Sequence, residues 1–218
     1  MQHEFRYISK HDPEVKAAYQ KIIEILHKVQ DQVRNDFTFQ FTPVGSYSRN
    51  MITYDAKGNV GFDFDFNIEV NDEEENFTAE QIKTTILKAM QMIVPAYGFS
   101  KVENSTRVIT IKKVDFFRSR IVYSCDFAII YNGRENGKPM QQYIHFDKTA
   151  QTYMWCRQSR GYHMLPEKIE WLKDHDLWAA LREYYLDKKN GNPDPDVHSR
   201  TIFAIAVQEM CQKHGYYR

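Results

Sequence analysis

An alternating run, Phe62-Asp63-Phe64-Asp65-Phe66, most constrains what this chain can fold into. Side chains on a β-strand point alternately to opposite faces, so the three phenylalanines share one face and the two aspartates share the other. The run therefore predicts a strand with one face in the core and two neighbouring carboxylates on the opposite face. An exposed Asp-x-Asp pair can simply serve solubility, so other residues must decide whether these carboxylates bind a ligand.

A third aspartate, Asp126, lies in a second strand-like run, "RIVYSCDFAIIYN", whose neighbours are mostly apolar. A carboxylate in such a strand is costly to bury without a charge partner, although an aspartate near a strand edge escapes this cost. If this strand lies beside the Phe62–Val70 strand, three carboxylates converge on one patch. Carboxylates are ligands that Mg²⁺ prefers, and such a patch can hold two divalent cations about 4 Å apart for displacement at phosphorus.

A Gly-Ser turn, in "VGSYSR", precedes the strand that carries Asp63 and Asp65. Gly45 permits close approach of the backbone to a ligand, and the hydroxyls of Ser46 and Ser48 can hold phosphate oxygens. An ordinary turn would explain Gly-Ser equally well, so the turn becomes informative only together with the carboxylates.

Basic and aromatic residues near this predicted cleft are candidates for contacts with a nucleotide. Arg49 is the strongest of them because it directly follows the Gly-Ser turn. Cationic side chains can contact phosphates and tyrosines can stack on a base, although a solvated charge or a packed ring is the commoner outcome for each. The other candidates are Arg107, Lys112, Lys113, Tyr47, Tyr153 and Tyr162.

Helical spacing of apolar residues flanks the strands. One helix is predicted over Pro13–Arg34, with Asp12 as its N-cap, and another over Thr78–Pro95, with Thr78 and Gln81 at capping-box spacing. The run "RVITIKKV" is expected to pair antiparallel with the Asp126 strand, and from about residue 160 the pattern becomes helical. This order predicts an α+β domain, with a mixed, antiparallel-rich sheet flanked by helices and a short helical C-terminal portion.

Composition excludes several other classes of protein. Lys plus Arg and Asp plus Glu both total 29, so no overall positive field favours long nucleic acid. No apolar run approaches the roughly 20 residues of a membrane span, and a signal peptide is not evident, so a cytoplasmic protein is expected. The three cysteines are far apart, which argues against a disulfide framework or a zinc site.

Together, Gly45-Ser46, the Asp63/Asp65 strand and Asp126 resemble the nucleotidyltransferase superfamily with the polymerase-beta-like fold. The stretch "GSYSRNMI" is most similar to the branch of oligoadenylate synthases and bacterial cyclic-oligonucleotide synthases, and the match covers about residues 10–132. The resemblance implies that Gly45 and Ser46 hold the triphosphate of an NTP. It also implies that the three aspartates bind two Mg²⁺ ions, for which Mn²⁺ can substitute, with Asp126 the candidate base.

The resemblance predicts a catalytic core over residues 1–159 and a helical portion over residues 160–218. The predicted reaction transfers a nucleoside monophosphate from an NTP such as ATP to a hydroxyl acceptor and releases pyrophosphate. A second nucleotide is favoured as the acceptor over an antibiotic or an RNA end, with a linear or cyclic oligonucleotide signal as product. A different class stays open, namely a non-catalytic nucleotide-binding or antitoxin-like module that acts through a protein partner.

Three features depart from the family pattern. Met51 stands where the branch usually has threonine, Gly45 and Asp63 are 18 positions apart, and the helical portion is short. A longer loop ahead of the aspartate strand would absorb the extra spacing without moving the carboxylates. The short helical portion implies that acceptor binding differs from that of the synthases or needs a partner chain.

Overall fold

A computed structural model describes residues 3–58, 60–72, 75–194 and 197–216, with the side chains of residues 160–163 outside this description. The chain divides into two units. The sheet unit comprises Tyr7–Tyr54 and Asn59–Gln158, and the helical unit comprises Met1–Arg6, Asp55–Gly58 and Ser159–Arg218. The helical unit thus includes two segments from the first third of the chain, which the sequence pattern did not assign to it.

The first half of the chain contains both helices and strands, and the last three elements are helices. In chain order the elements are β1 (Phe5–Tyr7), α1 (Pro13–Val33), β2 (Thr38–Val44), α2 (Gly45–Ser48), β3 (Thr53–Asp55), β4 (Phe62–Asn71), α3 (Ala79–Ile93), a 3₁₀ helix (Val94–Tyr97), β5 (Lys101–Asn104), β6 (Val108–Asp115), β7 (Arg120–Glu135), β8 (Lys138–Asp147), β9 (Thr152–Arg157), α4 (Arg160–Asp174), α5 (Trp178–Asn190) and α6 (Ser199–Lys213).

The main sheet has the strand order β2-β4-β7-β6-β5, and β8 pairs with the last third of β7 and with β9. Strands β4 and β7 are parallel, and the other pairs of this sheet are antiparallel. This confirms the predicted mixed, antiparallel-rich sheet and the pairing of β6 with β7. Because β4 and β7 are adjacent and parallel, residues early in β4 lie beside the middle of β7.

The two flanking helices begin where their capping residues predict. The Asp12 carboxylate accepts a hydrogen bond from the Glu14 amide at 2.9 Å, ahead of Pro13 in the first turn of α1. Thr78 and Gln81 form the reciprocal capping box of α3. Each cap satisfies amide donors that the first turn of a helix leaves unpaired.

The core of the sheet unit lies on one face of the sheet, under α1 and α3. Phe62, Phe64 and Phe66 are at most 4% exposed and pack with apolar residues of both helices, such as Ile22 and Ile86. Along β4, buried phenylalanines therefore alternate with more exposed polar residues, as the alternating sequence predicts. The polar face of β4 is left outside this core.

In the helical unit, α6 packs against both α4 and α5, and α4 contains Pro166. Buried apolar side chains of this unit include Leu172, Leu181 and Phe203. Within the described part of the chain, no helix is both long enough and apolar enough to cross a membrane.

A buried carboxylate, Asp55, anchors the two non-helical segments of the helical unit. Its side chain shares a hydrogen bond of 2.5 Å with His3 Nδ1 and accepts bonds from the amides of Glu4 and Lys57. Burial acts to raise the pKa of Asp55, but these bonds and one from the Gly58 amide outweigh burial and lower the pKa to about 2. Asp55 therefore has a structural role that its loop-like sequence did not reveal.

Candidate active site

Asp63, Asp65 and Asp126 share one face of the sheet. Asp65 pairs in register with Asp126 across the parallel β4–β7 ladder, and Asp63 pairs with Ser124. Residues in register on neighbouring strands point to the same face, with the strands about 4.8 Å apart. The predicted juxtaposition of the two strands is confirmed, and it places all three carboxylates on the face opposite the phenylalanines.

Neighbouring hydroxyl groups bind two of these carboxylates. Thr110 on β6 donates a hydrogen bond of 2.6 Å from Oγ1 to Asp126 Oδ1, and Ser124 donates from Oγ to Asp63 Oδ1. Thr110 is only 7% exposed. Neither hydroxyl stands out in the amino-acid sequence, and Thr110 becomes the direct partner of Asp126 only through the register of β6 with β7.

Negative charge accumulates around the middle of β7. Burial raises the pKa of the Cys125 thiol well above its usual value, and the charges of Asp126, Asp65 and Asp63 raise it further. Burial also raises the pKa of Asp126, against the hydrogen bond from Thr110, and the charge of Asp63 adds to the rise. A bound cation would relieve this repulsion.

The Gly-Ser turn lies directly against Asp65. Val44, the last residue of β2, pairs in register with Asp65, and Gly45 then takes a left-handed φ of 66°. A Cβ atom on Gly45 would lie 2.0 Å from Asp65 Oδ2. Both the backbone angle and the close approach require glycine here, and the turn is held beside the carboxylate face.

The other predicted phosphate-binding residues lie in or directly after this turn. Ser46 and Ser48 belong to the single turn α2, and Arg49 is its C-cap residue. Ser48 donates a hydrogen bond of 3.0 Å from Oγ to the Gly45 carbonyl oxygen, so a phosphate contact by Ser48 would compete with this bond. Their roles in binding phosphate stay predictions.

Two tyrosines considered for base stacking are packed instead. Tyr47 stacks on Tyr19 of α1, with ring centroids 4.3 Å apart and an interplanar angle of 7°. Tyr153 stacks on Phe146 at 4.5 Å, and its hydroxyl accepts a hydrogen bond from Asn104. Each ring packs within the sheet unit, which is the commoner outcome that the sequence led us to expect. The side chain of the third candidate, at position 162, lies outside the described residues.

The donor set of this face suits Mg²⁺, which prefers carboxylate oxygens. Within the described ranges, no three Asp, Glu, His or Cys side chains are grouped so that they alone would hold one metal ion. Mg²⁺ usually binds one or two carboxylates and completes its shell with water and substrate phosphates. Gly45 lets the Asp65 carboxylate lie directly against the backbone of the turn.

Comparison of the sequence with protein families finds no matching family model. Comparison with curated proteins likewise finds no match.

Comparison of the structure finds bacterial nucleotide synthases. One is the Elizabethkingia meningoseptica CdnE cyclic dinucleotide synthase with GTP and Apcpp, which has a TM-score of 0.52 and 14% identity over 92% of this chain and 70% of that chain. Another is the Rhodothermus marinus CdnE c-UMP-AMP synthase with Apcpp and Upnpp, with a TM-score of 0.55 and 12% identity over 92% and 71% of the two chains.

A third is the Vibrio cholerae DncV cyclic AMP-GMP synthase in complex with a linear intermediate, with a TM-score of 0.53 and 12% identity over 88% of this chain and 53% of that chain. This chain spans between 53% and 71% of the length of these three solved structures. Identity this low supports a shared fold but not a shared activity. The chain therefore has the nucleotidyltransferase fold found in bacterial cyclic-dinucleotide synthases.

Proposed function

We propose that the protein is a Mg²⁺-dependent nucleotidyltransferase, which transfers a nucleoside monophosphate from an NTP to a hydroxyl acceptor and releases pyrophosphate. One observation carries this proposal. Asp126 lies in register with Asp65, one strand repeat from Asp63, and the Gly45 backbone lies against the same carboxylate face. A solubilising Asp-x-Asp pair needs neither a third carboxylate beside it nor a glycine turn against it.

Asp63, Asp65 and Asp126 are the residues that would hold Mg²⁺. When bound, two such ions would neutralise charge on the phosphates and favour loss of the acceptor proton. Thr110 holds one oxygen of Asp126 by its hydrogen bond of 2.6 Å. Ser124 orients Asp63 in the same way.

The donor NTP would bind on the β2 side of the carboxylates. Gly45 and Ser46 contact its triphosphate in this proposal, and Ser48 and Arg49 add contacts from the same turn. The left-handed glycine brings the backbone to Asp65 and thereby sets the distance between phosphates and carboxylates.

In the proposed reaction the acceptor hydroxyl oxygen forms a bond to the α-phosphorus, and the bond from that phosphorus to the bridging oxygen of pyrophosphate breaks. Asp126 takes the hydroxyl proton, and pyrophosphate leaves with the electron pair of the broken bond.

A second nucleotide is the favoured acceptor. The stretch "GSYSRNMI" supports this choice, as do structural neighbours that carry GTP, ATP-like analogues or a linear dinucleotide intermediate. The product would be a linear or cyclic oligonucleotide.

The test incubates the protein with Mg²⁺ and each α-labelled NTP, singly and in pairs, and follows pyrophosphate release and labelled products by chromatography. The proposal expects a new phosphodiester product that needs Mg²⁺ and disappears in Asp63→Asn. If the protein binds NTPs but releases no pyrophosphate and forms no product from any pair, the proposal is contradicted. That result would favour the non-catalytic nucleotide-binding module.

A further inference from the structure

The hairpin turn between β6 and β7 carries two exposed aromatic rings. Asp115 and Arg120 form the last pair of the β6–β7 ladder, and residues 116–119 make the turn. Phe116 is 76% exposed and Phe117 is 97% exposed. A ring that is almost fully exposed lies on a protrusion rather than in a groove. Single exposed apolar side chains are common on protein surfaces, whereas adjacent ones that form a patch mark interaction sites.

The backbone of this turn does not require an aromatic residue. The Arg118 amide donates a hydrogen bond of 3.1 Å to Asp115 Oδ1, and Ser119 takes the left-handed φ of 49°. Turns favour small and polar residues, which form such bonds and tolerate such angles. The hairpin between β7 and β8 follows this rule with Asn136-Gly137. The two phenylalanines are therefore not explained by the geometry of the turn.

Cationic side chains surround the aromatic pair. Residues 113–120 contain Lys113, Arg118 and Arg120 but one acidic residue, Asp115, whereas the chain as a whole has equal numbers of acidic and basic residues. The side chains of Arg118 and Arg120 are 65% and 47% exposed, and each has a guanidinium nitrogen 3.9 Å from Asp115 Oδ2. The Asp115 side chain is only 26% exposed. The tip therefore presents two phenylalanines and positive charge to its surroundings.

We propose that this hairpin tip, Phe116–Arg120, binds the surface of a bilayer that contains anionic lipids. Aromatic side chains enter the boundary between headgroups and acyl chains, and arginines beside them attract anionic headgroups. Phe116 and Phe117 would enter this boundary, and Arg118 and Arg120 would contact lipid phosphates. The contact is peripheral and requires no spanning segment.

Two other occupants fit the tip less well. A stable protein interface buries about 800 Å² on each partner and needs a complementary surface, and a turn of four residues offers much less area. A bilayer needs no complementary shape, so a narrow protrusion can enter it. Long nucleic acid is disfavoured by the balanced charge of the whole chain.

The tip is separate from the carboxylate site. Asp126 lies six positions beyond Arg120 on β7, which corresponds to roughly 20 Å of extended strand. The inference therefore does not depend on the proposed nucleotidyl transfer. Substitutions at the tip can be made without changing any of the proposed catalytic groups.

The test is sedimentation of the protein with two kinds of vesicle, phosphatidylcholine alone and phosphatidylcholine with about one quarter phosphatidylglycerol. The wild type should bind the anionic vesicles at least about tenfold more tightly than the neutral ones. The double variant Phe116→Ser, Phe117→Ser should bind the anionic vesicles at least about tenfold more weakly than the wild type, because neither ring can be buried. Arg118→Gln and Arg120→Gln should each weaken this binding about fivefold.

Matched controls come from other exposed residues of the sheet unit. Met154 on β9 is 48% exposed, and Arg134 on β7 contacts the Gly137 carbonyl oxygen in the other hairpin. Met154→Ser and Arg134→Gln should bind anionic vesicles as the wild type does. The serine variant should also keep the Tm of the wild type, because both phenylalanines are exposed.

A second measurement reports on insertion directly. Phe117→Trp places a fluorescent ring at the most exposed position of the tip. Lipids with brominated acyl chains should quench this variant more strongly than the wild type, whose own tryptophans lie elsewhere in the chain. Equal quenching of the two proteins would contradict insertion of the tip.

Two further results would overturn the inference. One is a wild type that binds no anionic vesicles, or a double serine variant that binds them as tightly as the wild type. The other is a wild-type dimer, seen by sedimentation equilibrium without lipid, that is lost in the double serine variant. That result would assign the tip to a contact with a second copy of this chain.

Discussion

Replacing Gly45 with alanine tests whether the turn fixes the carboxylate face. The new Cβ would lie 2.0 Å from Asp65 Oδ2, whereas real Cβ atoms essentially never come within 3.0 Å of another heavy atom. The Asp65 carboxylate must therefore retreat by about 1 Å, and a misplacement of this size in an active site can lower a rate about 100-fold. We expect nucleotidyl transfer to fall by about that factor in Gly45→Ala.

The same substitution also strains the backbone, because φ at Gly45 is 66°. Placing a residue with a Cβ atom in the left-handed region destabilises the folded state by roughly 1–2 kcal/mol. Alanine also restricts the unfolded chain, and this restores about 0.4–1 kcal/mol of the free energy of unfolding. The net loss of about 1 kcal/mol should lower Tm by roughly 2–4 °C for a chain of this size.

Gly137→Ala is the matched control for backbone strain. Gly137 has a φ of 76°, and a Cβ atom there would meet no heavy atom within 4 Å. Both variants should lose similar stability in scanning calorimetry, but only Gly45→Ala should lose transfer activity measured as pyrophosphate release. Equal activity in the two variants would refute the argument that the close approach of Gly45 positions Asp65.

Other substitutions test single groups. Asp63→Asn should abolish transfer while Tm in metal-free buffer stays unchanged or rises slightly, since a repulsive charge is removed; a large fall in Tm would mark Asp63 as structural. Ser46→Ala should weaken NTP binding in calorimetric titration by about 1.5–3 kcal/mol, and unchanged affinity would remove Ser46 from the site. Lys83 is 1% exposed and donates to the Ser105 carbonyl oxygen at 2.8 Å, and burial, with the charge of Lys148, lowers its pKa to about 8. In the unfolded chain the pKa of a lysine is about 10.4, so above pH 8 the unfolded state binds more protons than the folded state. The free energy of unfolding should therefore rise by about 2 kcal/mol between pH 8 and pH 9.5, relative to its change in Lys83→Met. Urea unfolding measures this free energy at both pH values, and the same change in the wild type and in Lys83→Met would contradict the prediction.

The parts of the fold that depend on local patterns were predictable from the sequence. Period-2 alternation around Phe64 identified β4 and its two faces, and the capping residues Asp12 and Thr78 located the starts of α1 and α3. These signals are carried by residues close together in the chain. The resemblance to nucleotidyltransferases added the pairing of β4 with the strand of Asp126, which is the decisive long-range contact.

What the sequence did not reveal depends on partners far apart in the chain. Strands β8 and β9 pair through a ladder that no local pattern specifies, and Asp55 is buried because His3 and backbone amides bind it. Thr110 gains its place beside Asp126 only through the register of two strands. The packing of Tyr47 likewise depends on a distant partner, Tyr19, which lies on a helix nearly thirty positions earlier.

Counting bound metal ions tests most directly whether the three carboxylates and the turn form one site. Electron paramagnetic resonance measures the number of Mn²⁺ ions bound per chain in the presence of a saturating NTP analogue with a methylene bridge between the α and β phosphates. Two Mn²⁺ ions are expected for the wild type, and at most one for Asp126→Asn, in which Asp63 and Asp65 still hold the ion attached to the triphosphate. The same number of bound ions in Asp126→Asn as in the wild type, or no Mn²⁺ bound to either protein, would contradict the proposed site.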